Sequence, residues 1–299
     1  MRTRLIFAAL LPTLFGGLSP AADGLERGFV NPPASAKPWT YFFVMDGNLT
    51  REGITADFEA IARAGLGGVL FMEVNVGIPR GPVEFMSPQW RQLFKHAVAE
   101  AERLGLQLTL NAGPGWTGSG GPWVKPEQSM QHVVASAADV VGPKRFDETL
   151  PRPQRHPAFF GDGHLPADLE KVKNEFYRDL FVLAFPTPAG EARIADIDEK
   201  ALYVRAPYSS QPNVKAFLPT AASYPPLPAE SVIASDRSVD LTDKLDGDGR
   251  LVWDVPEGRW TILRFGATST GATTRPAPAP GLGLECDKLD KAALDAHFE

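Results

Sequence analysis

The sequence lacks the residues that would build a disulfide-linked or zinc-bound domain. It holds a single cysteine, Cys286, among 299 residues, so no disulfide can form within the chain. The five histidines are scattered, and no Cys/His cluster has the spacing of a zinc site. A chain of this length without such cross-links depends on its hydrophobic core for stability.

The sequence also lacks an excess of basic residues. It has 30 Lys and Arg against 36 Asp and Glu, which gives a net charge of -6. The Lys and Arg residues do not cluster into a basic stripe, and an acidic surface repels the phosphate backbone of nucleic acids. We therefore expect no nucleic-acid partner.

No apolar run near the N-terminus is long enough to cross a membrane comfortably. Arg2 and Arg4 precede an apolar stretch at residues 5–18, which Pro12 interrupts. A membrane helix needs about 20 apolar residues, so a stable membrane anchor is the less favoured interpretation. The pattern predicts a signal peptide over residues 1–22 and an exported protein, periplasmic or extracellular.

The strand and helix patterns that are present alternate along the first part of the chain. Buried-strand patterns cover residues 39–44, 68–73 and 106–110, and helix starts lie at Thr50 and Ser87. Such alternation predicts parallel strands with helices outside them. The predicted fold class is α/β, the opening units of a (β/α)8 barrel that is incomplete in this chain. A doubly wound sheet is the competitor, but no Gly-x-Gly-x-x-Gly follows the first strand.

The alternation of strand and helix patterns ends after the first βα units, which we place at residues 23–128. Strand patterns over 132–141 and 180–185 predict a β-rich insertion at residues 129–260, either a small sandwich or an independent second domain. The segments 251–256 and 260–265 are typical of a β-hairpin. Residues 261–299 then continue the barrel and end in a helix.

Polar side chains follow each predicted strand of the first part: Asp46, Asn48, Glu73 and Asn111. Active sites of β/α barrels lie at the C-terminal ends of the strands. Carboxylates there could bind sugar hydroxyls, hold calcium or act as acid and base. Strand-end capping, or an ion pair between Glu73 and Arg80, is the structural alternative.

A glycine-rich loop at residues 111–123 carries two tryptophans, Trp116 and Trp123. Glycines allow close approach of the backbone to a ligand, and an indole can stack on a sugar ring. We expect Trp116, more than Trp123, to face a ligand; the alternative is a packed loop. The aspartates at 240, 243, 246 and 248 lack the EF-hand pattern, and a solvated turn is favoured over calcium binding.

Taken together, these segments resemble the α-L-rhamnosidases of glycoside hydrolase family 106. The resembling segments run in order through almost the whole chain: 39–54 (WTYFFVMDGNLTREGI), 67–74, 77–81, 85–90, 111–123, 268–271 and 283–289. The resemblance implies an exported bacterial enzyme that hydrolyses terminal α-L-rhamnosyl linkages of plant polysaccharides or glycoconjugates by inversion. It also implies a carbohydrate substrate and an association with calcium whose site is not assignable here.

The resemblance suggests that five residues line the sugar pocket: Asp46, Asn48, Glu73, Asn111 and Trp116. Family members are far longer than this chain, and their acid and base lie on later strands. No Asp-Ser-x-Glu segment occurs here, so the catalytic residues are unknown and expected beyond Glu299. Because three or four strands leave open sheet edges, we expect the isolated chain to be poorly soluble and inactive.

Two other functions remain alternatives on the sequence. One is a different exported glycosidase, similar to β-galactosidases or glucuronidases. The other is a non-catalytic sugar-binding protein that uses the aromatic loop alone.

Overall fold

The computed structural model describes residues 20–155, 165–200 and 223–299. The predicted signal peptide lies outside these residues except for its last three positions, which fall in a helix, α1 (Pro20–Val30). The chain divides into two compact units. Among the described residues, the first unit comprises 20–42, 49–71 and 91–110, and the second comprises 43–48, 72–90, 111–155, 165–200 and 223–299.

The alternation of strands and helices predicted for the first part of the chain is confirmed. A three-stranded sheet has the order β1-β2-β3, with β2 and β3 parallel and Gly68 opposite Gln107. Its strands and the helices between them have these bounds: β1 (Trp39–Met45), α2 (Arg51–Arg63), β2 (Gly68–Val74), α3 (Pro88–Leu104) and β3 (Gln107–Leu110). The described residues thus form a mixed α/β chain in which no closed barrel is present.

Helix capping and aromatic packing stabilise the first unit. The Thr50 hydroxyl accepts a hydrogen bond from the Gly53 N–H at 3.0 Å, which satisfies one of the orphan donors at the start of α2. Phe58 of α2 is fully buried and meets Phe42 of β1 edge to face, with ring centroids 5.1 Å apart. Burial of such a ring stabilises the fold by about 2–3 kcal/mol.

The second unit contains a four-stranded antiparallel sheet of order β4-β7-β5-β6. Its elements are β4 (Gln131–Thr149), α4 (Ala167–Glu175), β5 (Arg178–Pro186), α5 (Ile197–Lys200), β6 (Val239–Asp240), β7 (Arg250–Ser269) and α6 (Lys291–Phe298). The strand predictions at 132–141 and 180–185 are confirmed. The core of this sheet is made of buried apolar side chains: Val140, Phe146, Leu150, Val182, Ala184, Leu241, Leu251, Trp253, Val255, Trp260 and Ile262.

The predicted hairpin at residues 251–265 is wrong. Both of its segments lie in the single strand β7, which pairs with β4 along nearly its whole length. Gly142 opposes Gly258 while Lys144 opposes Val255, so β7 carries one extra residue at this point. The Pro-Glu-Gly sequence at 256–258 is therefore a β-bulge rather than a turn.

A glycine on the partner strand makes this bulge possible. A Cβ added at Gly142 would lie 2.0 Å from the carbonyl oxygen of Pro256. Only glycine allows the two backbones to approach so closely. A proline and a glycine in a strand mark a bulge as readily as a turn, and the pairing with β4 decides between them.

The predicted boundary at residue 260 lies inside β7, so the β-rich region extends to Ser269. In the part of the chain that the structure describes, this region is one four-stranded sheet. The predicted terminal helix is present as α6, and the Asp290 carboxylate caps it by accepting from the Ala292 N–H. Among the described helices, none is both long and apolar enough to span a bilayer.

Candidate functional site

Two of the predicted site residues, Asp46 and Glu73, form a buried carboxyl pair in the second unit. Asp46 follows β1 directly and adopts a left-handed backbone with φ of 47°, which aspartate tolerates better than most residues. Its N–H donates to the Val74 carbonyl at 2.7 Å, which ties it to the end of β2. Asp46 is 9% exposed and Glu73 is 4% exposed, so both carboxyl groups are largely withdrawn from water.

Burial raises the pKa of Glu73 from 4.5 to about 7, and the negative charge of Asp46 adds to the rise. Hydrogen bonds from the Trp90 indole and the Gly47 backbone oppose it. The Trp90 Nε1–H donates to Glu73 Oε2 at 3.0 Å, whereas Oε1 has no hydrogen-bond partner among the described residues. Glu73 therefore carries a proton part of the time at neutral pH, but it is enclosed.

The ion pair considered between Glu73 and Arg80 does not form. Arg80 Nη2 instead donates to Glu84 Oε2 at 3.2 Å, four residues along the chain. Both partners of that pair are exposed, so it contributes little to stability. The observed partner of the Glu73 carboxyl, Trp90, was not singled out in the sequence.

The two predicted asparagines use their side-chain amides to hold loops. Asn48 Nδ2 donates to the carbonyls of Met45 at 2.9 Å and Pro79 at 3.0 Å. Asn111 Nδ2 donates to the carbonyls of Gly113 at 2.8 Å and Gly115 at 2.7 Å. Both amide donors of each asparagine are thus engaged with backbone, which makes them loop-shaping residues in this structure.

The glycine-rich loop is tied by its backbone to the segment around Arg275. The Gly115 N–H donates to the Glu73 carbonyl at 2.8 Å, and the Trp116 N–H donates to the Arg275 carbonyl at 2.7 Å. Gly115 has a φ of 76°, and a Cβ there would lie 2.4 Å from the Arg275 carbonyl carbon. Glycine is required at this position both for its conformation and for the close approach.

Trp116 lies on the wall of a cavity of about 590 Å³, a volume typical of small-molecule sites. The indole is 59% exposed and meets Phe43 edge to face, with ring centroids 5.6 Å apart. The cavity is lined by Trp116, Thr117, Ala272, Thr273, Arg275, Pro276 and Glu285.

Two residues of this wall carry buried hydroxyl groups that make no hydrogen bond to the described residues. Thr273 is 2% exposed, and its Oγ1 has no hydrogen-bond partner among the described residues. The Oγ1 of Thr117 is likewise buried without a partner in that part of the chain. A buried hydroxyl that makes no hydrogen bond costs free energy.

Trp123 holds the loop rather than facing the cavity. Its ring stacks on His297 of α6 with centroids 5.9 Å apart, and its Nε1–H donates to His297 Nδ1 at 3.1 Å. Since Nδ1 accepts, the proton of the neutral imidazole is on Nε2, which lies 2.9 Å from the Ala112 carbonyl. His297 thereby connects the helix to both ends of the loop.

Calcium binding stays a prediction of the family resemblance. Within the described ranges, no three His, Cys, Asp or Glu side chains converge as metal ligands, whereas calcium takes six to eight oxygens. In the acidic turn, Asp246 Oδ1 accepts from the N–H groups of Asp248 at 3.0 Å and Arg250 at 2.8 Å. Residues 246–249 form a turn as predicted, whereas Asp240 lies in β6 and Asp243 lies in a 3-10 helix over Thr242–Lys244.

Of the five predicted site residues, Trp116 alone lines the cavity. The structure pairs Asp46 with Glu73 and leaves Asn48 and Asn111 in their loops. The residues that sequence reasoning did not single out are Thr117, Thr273, Arg275 and Glu285. A run of small and hydroxyl residues at 268–274, buried throughout, precedes Arg275, and such a run outside a predicted element is the signal that could have marked this wall.

Comparisons with known proteins agree on a carbohydrate-active relationship. A Formosa agariphila protein with the provisional name beta-glucuronidase is 38% identical over 282 residues, which is 94% of this chain and 22% of that protein. The solved structure of a rhamnosidase from Novosphingobium sp. PP1Y superposes with a TM-score of 0.63 at 26% identity. The match covers 92% of this chain and 37% of the rhamnosidase chain.

The chain thus spans about a fifth of the first relative and somewhat over a third of the second. The family model for α-L-rhamnosidases matches residues 30–299, nearly the whole chain. These matches confirm the resemblance found in the sequence. The chain belongs to glycoside hydrolase family 106, the α-L-rhamnosidase family.

Proposed function

We propose that this protein takes part in the hydrolysis of terminal α-L-rhamnosyl linkages in plant polysaccharides or glycoconjugates, with inversion at the anomeric carbon. Family membership supports the reaction class. The observation that carries the proposal is the cavity beside the exposed Trp116, whose wall combines an indole with buried hydroxyls. An aromatic face with a few hydrogen-bonding groups is the chemistry that a pyranose ring requires.

In this proposal the cavity binds sugar and the buried carboxyl pair supports the loop around it. Inversion needs one carboxylic acid at the leaving oxygen and one carboxylate that activates water, about 6.5–9.5 Å apart. Asp46 and Glu73 are both buried in this structure. We therefore propose them as positioning residues for the loop and assign neither of them as the acid or the base.

The proposal includes the architecture and location expected from the sequence. We propose that residues 23–128 supply opening units of a (β/α)8 barrel, that the β4–β7 sheet is an insertion in it, and that residues 1–22 direct export. The parallel pairing of β2 and β3 and the helices between the strands support the barrel. Calcium stays a prediction of the family resemblance, and no proposed step passes through a metal.

A second candidate is the hydrolysis of a β-glucuronide. The 38% identity to the Formosa agariphila protein favours it. The two candidates differ in the sugar that is released, so a substrate comparison separates them.

The test is hydrolysis of aryl glycosides by the protein expressed from its natural gene. We expect release from an aryl α-L-rhamnoside, with β-L-rhamnose as the first product seen by proton NMR. Faster release from an aryl β-D-glucuronide would favour the second candidate. Release of α-L-rhamnose first would contradict inversion, and absence of release from every glycoside would contradict both hydrolytic functions.

A further inference from the structure

We propose that Glu285 is a specificity-determining residue of the cavity beside Trp116, and that its carboxylate accepts hydrogen bonds from two adjacent free hydroxyls of the sugar ring. The inference rests on the proposed function, because it assumes that the cavity binds sugar. It adds the residue that recognises the ring and the hydroxyls that the ring must have.

The local backbone directs the Glu285 side chain towards the cavity. Its neighbours Leu284 and Cys286 are fully buried and belong to one apolar cluster. Leu284 forms an isolated β-bridge with Thr273, and Cys286 forms one with Ser129. Because side chains alternate between the two sides of an extended chain, the Glu285 side chain lies on the side opposite this cluster, where it lines the cavity.

Two backbone hydrogen bonds fix the position of Glu285. Its N–H donates to the Ala272 carbonyl at 2.9 Å, and its carbonyl accepts from the Met130 N–H at 3.2 Å. Ala272 lines the same cavity as Glu285. A side chain on a segment that is anchored in this way is preorganised, which lowers the entropic cost of binding.

The carboxylate of Glu285 keeps acceptor capacity for a ligand. Its Oε1 accepts from Lys288 Nζ, three residues along the chain, and this ion pair orients the group. A carboxylate offers about four acceptor sites on its two oxygens, so the contact with Lys288 leaves sites for other donors. The Glu285 side chain is 12% exposed, and water therefore weakens its hydrogen bonds less than those of a surface carboxylate.

A sugar supplies donors that match this acceptor. Hydrogen bonds from hydroxyls to an ionised carboxylate are about twice as strong as bonds between neutral groups. Two hydroxyls on neighbouring ring carbons present two donors side by side, and the two carboxylate oxygens can accept from both. The indole of Trp116, on the same wall, then contacts the apolar face of the ring while Glu285 contacts its hydroxylated edge.

For an α-L-rhamnoside, this recognition makes the hydroxyl at C3 essential. The ring carries hydroxyls at C2, C3 and C4, so each adjacent pair includes the one at C3. A rhamnosyl residue that is linked onward through C3 lacks this donor and is excluded. The contact with Glu285 thus gives a physical reason for a preference for terminal residues.

The experiment measures, by calorimetry, the binding of methyl α-L-rhamnoside and its 2-deoxy, 3-deoxy and 4-deoxy analogues to the full chain. Removal of a hydroxyl deletes one donor without adding bulk. We expect the 3-deoxy analogue and one of the other two to bind about ten-fold more weakly than the parent glycoside. Glu285→Gln should weaken binding of the parent by about ten-fold and remove most of the further loss on 3-deoxygenation, because the hydroxyl and the carboxylate are energetically coupled.

Two further variants separate the carboxylate from its ion pair. Lys288→Gln removes the ion pair but keeps the carboxylate, and it should bind the parent glycoside within about three-fold of the unmodified chain. Glu84→Gln is the matched control, because Glu84 is an ion-paired glutamate that does not line the cavity; it should bind like the unmodified chain. Circular dichroism confirms that each variant is folded.

The outcomes separate this inference from the proposed function. If the rhamnoside binds but Glu285→Gln binds it equally well, or loses as much on 3-deoxygenation as the unmodified chain, the assignment of Glu285 is overturned and sugar binding stands. If Lys288→Gln weakens binding as much as Glu285→Gln, the ion pair and not the carboxylate contact is responsible, and the assignment is again overturned. If methyl α-L-rhamnoside does not bind to the unmodified chain, both the inference and the assignment of the cavity to this sugar are overturned.

Discussion

The buried carboxyl pair and the cavity beside Trp116 belong to the same unit but differ in what they offer a ligand. Glu73 and Asp46 are polar residues that the fold has enclosed, with the Glu73 carboxyl held by the Trp90 indole. Trp116 is an apolar residue that the fold has left exposed on a cavity wall. Both regions depart from the usual burial pattern, but Trp116 is exposed whereas Asp46 and Glu73 are buried.

The comparison teaches that a polar residue at a strand end is an ambiguous sign of an active site. The same position serves to attach the next loop, as the backbone bonds of Asp46 and Glu73 show. An exposed aromatic ring on the wall of a cavity is a stronger sign, because the fold leaves the ring open to solvent. If the Asp46–Glu73 pair supports the loop and the cavity beside Trp116 binds the ligand, variants of the two regions should differ in stability and in binding.

The largest expected effect concerns the proton on Glu73. Because its pKa is raised from 4.5 to about 7 in the folded chain, the folded state holds this proton more tightly than the unfolded state. The stabilising contribution is complete below pH 4.5, declines as the pH rises towards 7 and is absent above it. Glu73→Gln should remove this decline, which amounts to about 3 kcal/mol of unfolding free energy.

Urea denaturation at pH 4.5, 6 and 8 measures the difference between Glu73→Gln and the unmodified chain. The control is Glu84→Gln, which changes an exposed carboxylate in the Arg80 ion pair. Parallel pH profiles for the unmodified chain and Glu73→Gln would show that Glu73 is not buried as described.

A smaller effect is expected where the glycine-rich loop meets the Arg275 segment. Gly115→Ala should lower the unfolding free energy by about 2 kcal/mol more than Gly77→Ala, since overpacking adds to the backbone strain. The two glycines have nearly equal φ, 76° and 78°, but a Cβ at Gly77 meets nothing within 4 Å. Gly77→Ala is thus a control for the left-handed conformation alone, which costs about 1 kcal/mol.

Sugar binding is the second readout for this pair of glycines. Gly115→Ala should weaken binding of methyl α-L-rhamnoside, because it displaces Trp116 from Arg275, whereas Gly77→Ala should not. Equal losses of stability and binding in the two variants would contradict the close packing of the loop.

The next effect separates binding from stability. Trp116→Ala should weaken binding of methyl α-L-rhamnoside by about ten-fold, about 1.4 kcal/mol, by removing the stacking platform. It should change the unfolding free energy little, because the indole is 59% exposed. Trp116→Phe retains an aromatic face and should recover part of the affinity; an unchanged dissociation constant in Trp116→Ala, measured by calorimetry, would refute the role of the platform.

The smallest effect concerns the link between α6 and the loop. His297→Gln should lower the unfolding free energy by about 1 kcal/mol, because a glutamine side chain does not reproduce both bonds of the imidazole. Trp123→Phe removes the indole donor to the same histidine. In a double-mutant cycle the two changes should be less than additive; full additivity would show that the bond between Trp123 and His297 contributes nothing.

The sequence predicted the elements better than the site. Local signals were sufficient for the Thr50 cap, the Ser87-Pro88 helix start and the strands around Glu73, because each depends on neighbouring residues. The bulge at 256–258 was mistaken for a turn, since its geometry depends on Gly142 in a strand more than a hundred residues away. Whether a segment forms a strand depends on nearby residues, whereas its pairing partner is set by residues distant in the chain.

The site shows the same limit. Trp116 was identified from its own loop, but Arg275 and Thr273 lie more than 150 residues further on and reach the same wall only through the backbone bond of Trp116 to Arg275. The spacing of these residues along the chain does not predict that they line the same cavity. Glu73 contacts Trp90 and not Arg80, which was considered as the structural alternative. The packing of the chain decides this contact, and the distance along the sequence does not predict it.

By itself, the sequence determined the absence of disulfides, the acidic charge, the alternation of strands and helices and the family resemblance, because these follow from composition, periodicity and the order of local segments. Tertiary structure alone decided which polar groups are enclosed and which aromatic ring is exposed on a cavity wall. Burial and convergence arise from residues distant in the chain, and it is burial that raises the pKa of Glu73 and exposure that leaves Trp116 available to a sugar.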